Sequence, residues 1–287
     1  MTYGFVGLGP TYGFVGLGQM GAPMAGRLAG PGLVVYDTRP GPMATLAEQG
    51  ARPAADLTEV AQATLISIMV RDDAQVNEVA AALLAAASPG TIIAIHSTIR
   101  AETAIRLAGE ARAYGIEIVD APVSGGPMGA ATGSLAVMVG ATETAFEQVK
   151  EPFGAWAGLV LHMGEVGAGT RAKLARNLLH FVSFAAAAEA QRLAEAAGIP
   201  LGRLGRIVRH SDAVTGGPGA IMIRRTTSPL APDDPLREIM CHVRALGDKD
   251  LALALELADE LGVDAPLARL AQQRLAAGLG LGEEDPS

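Results

Sequence analysis

Residues 13–21 read Gly13-Phe14-Val15-Gly16-Leu17-Gly18-Gln19-Met20-Gly21, and the segment from Gly21 to Leu28 favours a helix. A strand that runs into Gly-x-Gly-x-x-Gly and opens a helix is the fingerprint of a dinucleotide site. Gly16 makes the tight turn, Gly18 lets a pyrophosphate approach the backbone, and Gly21 lets helix and strand pack closely. The helix N-terminus then offers free N–H groups and a partial positive charge to the phosphates. In a chain with 36 glycines the pattern alone is a weak signal. Its context strengthens it: the next aliphatic run ends on Asp37, sixteen residues after Gly21. A carboxylate there accepts hydrogen bonds from an adenosine ribose and repels a 2′-phosphate, which points to NAD. Thr38 and Arg39 follow, and Arg39 leaves NADP possible. The alternative is that Asp37 merely caps a turn.

Outward from this motif, short apolar runs alternate with Ala-rich segments. The runs are Gly13–Gly16, Leu33–Asp37, Ala63–Val70, Thr91–Ile95 and Ile116–Asp120. Between them lie Gly21–Leu28, Pro42–Gln49, Ala74–Ala87 and Ala101–Tyr114. Such alternation predicts βαβ units and a parallel sheet, here an α/β Rossmann-type doubly wound one. Leu135–Val139 and Leu159–His162 can extend the sheet, with a helix near Glu143–Trp156 between them. From Gly167 the strand signal stops. Thr170–Ala197, closed by Gly198 and Pro200, reads as one long helix, followed by Leu201–His210, Leu246–Leu261 and Pro266–Gly278. The change predicts a dinucleotide-binding domain over 11–166 and an all-α C-terminal domain over 167–287. Residues 2–9 and 11–18 both read TYGFVGLG. A nine-residue shift is too short for a solenoid repeat. The first copy carries Tyr12 where the third glycine belongs, so the second copy is expected in the sheet. Residues 1–10 are then expected to be an extra arm, read as the product of a duplication, with a functional tail as the alternative.

The composition excludes several classes. Of 287 residues 49% are apolar and 18% charged, which suits about two folded domains and not a disordered chain. The net charge is −8 with no long basic run, so no nucleic-acid partner is expected. The longest apolar stretch, Val79–Ala87, stops well short of the ~18 residues that span a bilayer, so no membrane partner is expected either. No basic residue precedes Arg27, which argues against a secretory signal. A single Cys241 excludes an internal disulfide and a Cys-based zinc cage, and no metal site is expected. These observations predict a soluble, cytoplasmic protein.

Further motifs carry chemistry. Asp120-Ala121-Pro122-Val123-Ser124-Gly125-Gly126 follows the fifth run and continues to Gly129 and Gly133-Ser134-Leu135. Ligands of open α/β sheets bind at such strand ends. Successive glycines can turn backbone N–H groups into an anion nest beside the Ser124 hydroxyl, although an ordinary Gly-rich turn reads the same way. Lys173 and Asn177 follow Gly167-Ala168-Gly169, four residues apart and so on one helix face. Phe181 and Phe184 continue that stripe, which suggests a buried face in a cleft and not a solvated one. Lys249-Asp250-Leu251 leads to Gly262-Val263 and Pro266, with Lys249 just ahead of a helix.

Taken in order, these four motifs resemble the β-hydroxyacid dehydrogenase family, the group of 3-hydroxyisobutyrate dehydrogenase and tartronate semialdehyde reductase. The resemblance covers the chain from Thr11 to about Gly278. It implies that Gly16 to Gly21, Asp37, Thr38, Arg39, Met69, Val70, Arg71, Thr98 and Lys249 bind the cofactor, and that Ser124, Gly125 and Gly126 hold a small carboxylate substrate. It also implies Lys173 as catalytic acid/base, assisted by Asn177. In that mechanism the substrate alcohol loses hydride to the nicotinamide while Lys173 exchanges the hydroxyl proton. Burial and the positive nicotinamide both favour a neutral lysine.

The expected activity is an NAD(P)-dependent dehydrogenase of a 3-hydroxy acid or its semialdehyde, in a homo-oligomer. Two alternatives are an imine reductase, a relative that generally lacks the catalytic lysine, and a non-catalytic cofactor-binding module. Several positions depart from the family. Arg71 replaces a proline, Ile95 stands where an acid is usual before Ser97 and Thr98, and Arg176 replaces the first of two asparagines. His96 is read as a spacer, His180 as a core or pocket-lining residue, and His210-Ser211-Asp212 as a helix cap and loop.

Overall fold

All four residues of the first strand, β1 (Tyr12–Val15), are buried, because parallel strands lie on both sides and helices cover both faces. In this computed structural model the described residues are 11–282 and Asp285; the expected arm over 1–10 lies outside them. β2 (Leu33–Tyr36) and β3 (Arg52–Pro53) extend the sheet on one side, and β4 (Leu65–Ile68), β5 (Ile92–Ile95) and β6 (Glu117–Asp120) on the other. The parallel order β3-β2-β1-β4-β5-β6 is that of a doubly wound dinucleotide fold. The sheet is continued by β7 (Val123–Ser124), β8 (Leu135–Gly140) and β9 (Ala157–Gly164), with β8 antiparallel to β6 and β7 and parallel to β9.

Alternate strand residues face opposite ways, so two cores form. Phe14, Leu33, Val35, Ala94 and Val119 face one cluster, closed by Phe146, Val149, Phe153 and Trp156 from α7 (Glu143–Phe153) and the turn after it. Val15, Val34, Ile66, Ile68, Ile93 and Ile95 face the other, closed by α4 (Asp73–Ala86) and α5 (Ala101–Ala111). Burial on both faces is why these strands read as unbroken apolar runs. α1 (Gly21–Gly26) and α2 (Pro40–Ala47) follow β1 and β2, α3 (Leu57–Val60) precedes β4, and α6 (Gly126–Thr132) follows β7. The pieces β3, α3 and β7 escape the sequence reading because two to four residues display no period.

Compactness divides the chain inside the long helix α8 (Ala168–Ala196), into Met1–Arg176 and Asn177–Ser287. The second unit is helical in its described residues: the rest of α8, α9 (Leu201–Thr215), α10 (Arg237–Glu260) and α11 (Pro266–Gly278). Glu189 accepts the N–H groups of Leu267 and Ala268 at 2.9 and 3.0 Å, which caps α11.

Three expectations change here. α9 runs on to Thr215, so His210, Ser211 and Asp212 are helical and not a cap and loop; the stop is Gly216 in the left-handed region. α10 starts at Arg237 instead of Leu246, so Lys249 lies mid-helix. Gly247 does not break it, because the missing Cβ is what lets α10 approach Leu275 of α11. Phe181 and Phe184 are not buried: they are 61% and 58% exposed, packed edge to face with one another and against His180. Among the described residues no helix is long and apolar enough to cross a membrane, and no cluster of His, Cys, Asp and Glu could hold a metal ion.

Candidate active site

The turn after β1 is built by two glycines and left open at a third. Gly16 has φ +91°, and a Cβ there would overlap the carbonyl of Met69 at the end of β4. A Cβ on Gly21 would overlap the Gly16 carbonyl oxygen. Around Gly18, in contrast, nothing of the protein lies within 4 Å of where a Cβ would be. The backbone is thus tight where it holds itself together and open where a pyrophosphate would lie, and α1 begins without a side-chain cap. Leu17 points its side chain into the core, while Gln19 and Met20 are more exposed. These residues fit a dinucleotide.

Asp37, at the end of β2, accepts hydrogen bonds on both oxygens. Leu17 N–H donates to Oδ2 at 2.7 Å, while Arg39 N–H and its Nε donate to Oδ1 at 2.9 and 3.1 Å. Burial pushes the Asp37 pKa up, but the hydrogen bonds and charge of Arg39 and the Leu17 N–H outweigh it and leave it lowered. Asp37 is therefore an anion at neutral pH that ties the glycine turn to β2. Thr38 and the Arg39 side chain are exposed beside it.

At the ends of β4 and β5, the Ser97 hydroxyl donates to Val70 O at 2.7 Å and accepts from Val70 N–H at 3.0 Å, which fixes the Met69–Val70 turn. Arg71 pairs with Asp72 at 3.0 Å on the surface, and Thr98 is exposed. His96 is buried: Nδ1 meets Ala121 O at 2.8 Å and Nε2 meets Ser67 Oγ at 3.0 Å, among Phe14, Phe153 and Trp156. The carbonyl can only accept, so Nδ1 carries the proton and Nε2 accepts from Ser67. Burial lowers its pKa from 6.5 to about 4 against the Ala121 hydrogen bond. His96 is a neutral brace between strands.

Beyond β6 three of the singled-out features come together. The buried Asp120 accepts Gly167 N–H on Oδ1 and Thr170 N–H on Oδ2, both at 2.6 Å, and so caps the start of α8. One turn further on, Lys173 turns back to the same segment and its Nζ donates to Val123 O at 2.6 Å. It is 9% exposed, and burial, reinforced by the charge of Arg176, lowers its pKa. Ser124, the next residue after Val123, is half-buried, and Gly125 and Gly126 follow with φ of 132° and 68°. A buried amine of weakened basicity therefore sits beside a serine and a glycine turn, an arrangement suited to moving a proton next to a bound anion.

Asn177 lies one helical turn after Lys173 and opens the second unit. Lys249 belongs to that unit too, where its exposed side chain pairs with Asp250 at 3.2 Å. Sequence reasoning did not single out Asp120, His96 or Ser97 for what they hold in place. The available signal for Asp120 was an acid ending a strand just before a Ser-Gly-Gly turn.

Comparison with known proteins agrees with this architecture. Residues 11–164 match the family model of the NAD-binding domain of 6-phosphogluconate dehydrogenase. Residues 167–286 match the model described as NAD-binding of NADP-dependent 3-hydroxyisobutyrate dehydrogenase. The chain belongs to the 3-hydroxyisobutyrate dehydrogenase-like, or β-hydroxyacid dehydrogenase, family. It is thus an NAD(P)-dependent oxidoreductase by family. Within this family it is 59% identical over 287 residues to an uncharacterized oxidoreductase of Mycobacterium tuberculosis, covering 98% of this chain and 94% of the relative. It is 34% identical over 292 residues to 2-(hydroxymethyl)glutarate dehydrogenase of Eubacterium barkeri, covering 99% and 92%. The crystal structure of a protein from Mycobacterium avium 104 assigned as an oxidoreductase superposes with a TM-score of 0.93 at 55% identity, over 97% of this chain and 100% of that one.

Proposed function

We propose that this β-hydroxyacid dehydrogenase oxidises a small 3-hydroxy acid to its semialdehyde with NAD, using Lys173 as the base. The observation that carries the reading is the Lys173–Val123 hydrogen bond, which holds a buried amine next to Ser124, Gly125 and Gly126. When bound, the nicotinamide supplies the hydride acceptor. The backbone N–H groups after Ser124 and its hydroxyl hold the substrate carboxylate. Lys173, uncharged, takes the hydroxyl proton; in the reverse direction its ammonium form donates to the carbonyl oxygen. By the family's pattern Asn177 orients the hydroxyl and Lys249 contacts the cofactor. The name of the Eubacterium barkeri relative gives a hydroxymethyl group next to a carboxylate-bearing carbon, the same 3-hydroxy-acid arrangement. The anionic Asp37 favours NAD over NADP.

A homo-oligomer completes the proposal. α9 has no buried residue, and Leu178, Phe181 and Phe184 stand exposed on α8. Apolar surface on this scale suits a second copy of the chain. Light scattering after gel filtration measures the state, and a monomer at micromolar concentration counts against it.

The activity test follows NADH formation by absorbance over a panel of 3-hydroxyisobutyrate, glycerate, serine, 3-hydroxypropionate and 4-hydroxybutyrate. Turnover abolished by Lys173→Ala supports the reading. Turnover that survives the substitution rejects Lys173 as base, and activity confined to imines moves the chain to the imine-reductase alternative.

A further inference from the structure

The segment after β6 and the start of α8 are linked at two points that close a ring. Asp120 Oδ2 takes the Thr170 N–H, three residues along the helix Lys173 projects back, and its Nζ reaches Val123, three residues after Asp120. Two short stretches of chain and two hydrogen bonds of 2.6 Å thus make one small cycle. A third bond, from Gly167 N–H to Asp120 Oδ1, fixes the helix entry. The cycle is tightly enclosed: a Cβ on Gly169 would overlap Met138 O, and one on Gly140 would overlap Asp120 Oδ1. α8 can approach Asp120 this closely only because both positions are glycine.

From this ring we infer that Asp120 is a positioning residue for Lys173, setting the ε-amine's place relative to Ser124 by holding the first turn of α8. The inference deepens the proposed function and rests on Lys173 being the proton carrier. Asp120 touches neither substrate nor cofactor in this role; it acts through the helix. Its carboxylate is the side-chain acceptor for two first-turn N–H groups, which have no partner within the helix itself. The negative charge at a helix N-terminus adds to the hold. Without it the first turn of α8 can fray, and Lys173 moves with it. Misplacing a reacting group by about 1 Å is enough to cost on the order of 10²-fold in rate.

The chain's lysines are only Lys150, Lys173 and Lys249, which makes the inference measurable apart from catalysis. Wild-type and Asp120→Asn proteins are trace-acetylated in the folded state, and each lysine is quantified by peptide mass spectrometry. Lys150 and Lys249 are exposed and serve as internal standards. Binding of NADH checks that the variant is folded. We expect Lys173 to label several-fold faster relative to the standards in Asp120→Asn. We also expect kcat for the 3-hydroxy acid to fall about 10–100-fold while the KM for NAD stays unchanged. A purely structural role would lower thermal stability but leave the relative labelling of Lys173 where it was, and that result overturns the inference.

Should Asp120→Asn not fold, amide exchange of the wild-type protein decides instead. Gly167 and Thr170 N–H groups must then be protected well beyond unbonded first-turn amides, and free exchange at both overturns the inference. A wild-type protein that oxidises no 3-hydroxy acid removes the proton-carrier reading alone, because labelling and exchange still report whether Asp120 holds Lys173.

Discussion

The ε-amine of Lys173 donates to the carbonyl oxygen of Val123 across 2.6 Å, immediately before the Ser124-Gly125-Gly126 turn. Burial, together with the nearby charge of Arg176, holds its pKa below the ordinary 10.5. Oxidation needs the uncharged amine, so kcat/KM for the alcohol should rise with pH and level off below pH 10.5. Reduction of the semialdehyde needs the ammonium, so its rate should decline across the same window. Lys173→Arg keeps a positive charge that does not titrate in this range. Loss of general acid–base catalysis should then cost about 10²–10⁴-fold in either direction. Initial rates of both directions against pH check this; an unshifted profile in Lys173→Arg would remove the lysine from the proton path.

In the proposed NAD site Asp37 couples cofactor choice to the shape of the glycine turn, since one carboxylate holds both Leu17 N–H and Arg39. Replacing it with alanine removes the charge that repels a 2′-phosphate and frees the Arg39 guanidinium to attract one. Hydrogen bonds to charged groups contribute about 1.5–3 kcal/mol, so the ratio of kcat/KM for NAD over NADP should drop by about 10–100-fold. The steady-state ratio for wild type and Asp37→Ala decides it. An unchanged ratio would mean that other residues select the cofactor.

His96 makes a different pH prediction, one of stability. Its pKa falls from 6.5 in the unfolded chain to about 4 in the fold, so the folded state keeps it neutral while the unfolded state takes up a proton. Its contribution is fully present above pH 6.5 and is lost progressively as the pH falls toward 4. A shift of that size corresponds to roughly 3 kcal/mol of pH-dependent stability. Trp156 is the chain's one tryptophan, fully buried with its ring 5.6 Å from His96, and its fluorescence reports unfolding of the first unit. Urea unfolding at pH 7 and pH 5 should show a loss in wild type that is markedly smaller in His96→Gln. Equal losses would show that other groups dominate the acid response.

The central strands could be read from the sequence because parallel strands buried on both faces are continuous apolar runs, as in Leu65–Ile68 and Ile92–Ile95. Gly247 within α10 is the opposite case: what it does there is set by Leu275, on another helix, which local propensity does not carry. The glycine turn and the acid that follows it, Asp37, belong to a short pattern with a fixed spacing, whereas the role read for Lys173 came from the family resemblance. What Asp120 and His96 hold in place was not readable. Their partners lie 50 and 25 residues away, at Thr170 and Ala121, and no local pattern carries such a pairing. His96 as a spacer understated it, since both ring nitrogens are engaged.

The two outer glycines and the middle one of the turn should fail differently. Gly21→Ala places a Cβ against the backbone carbonyl of Gly16, an atom that cannot swing aside, so either the first turn of α1 or the end of β1 must move. We expect thermal destabilisation and loss of NADH binding together. Gly18→Ala meets open space, so its stability should stay within about 0.5 kcal/mol of wild type, typical of unconstrained surface positions. Yet the added methyl stands where the pyrophosphate must approach, and NADH affinity should drop sharply in a protein that unfolds normally. Thermal melts paired with NADH titration separate the two. The same geometry accounts for the choice between the duplicated segments. If residues 2–9 formed the first strand, Tyr12 would fall at the third-glycine position, where even a methyl group overlaps the backbone. Gly18→Ala protein that binds NADH as wild type would refute the placement of the pyrophosphate over Gly18.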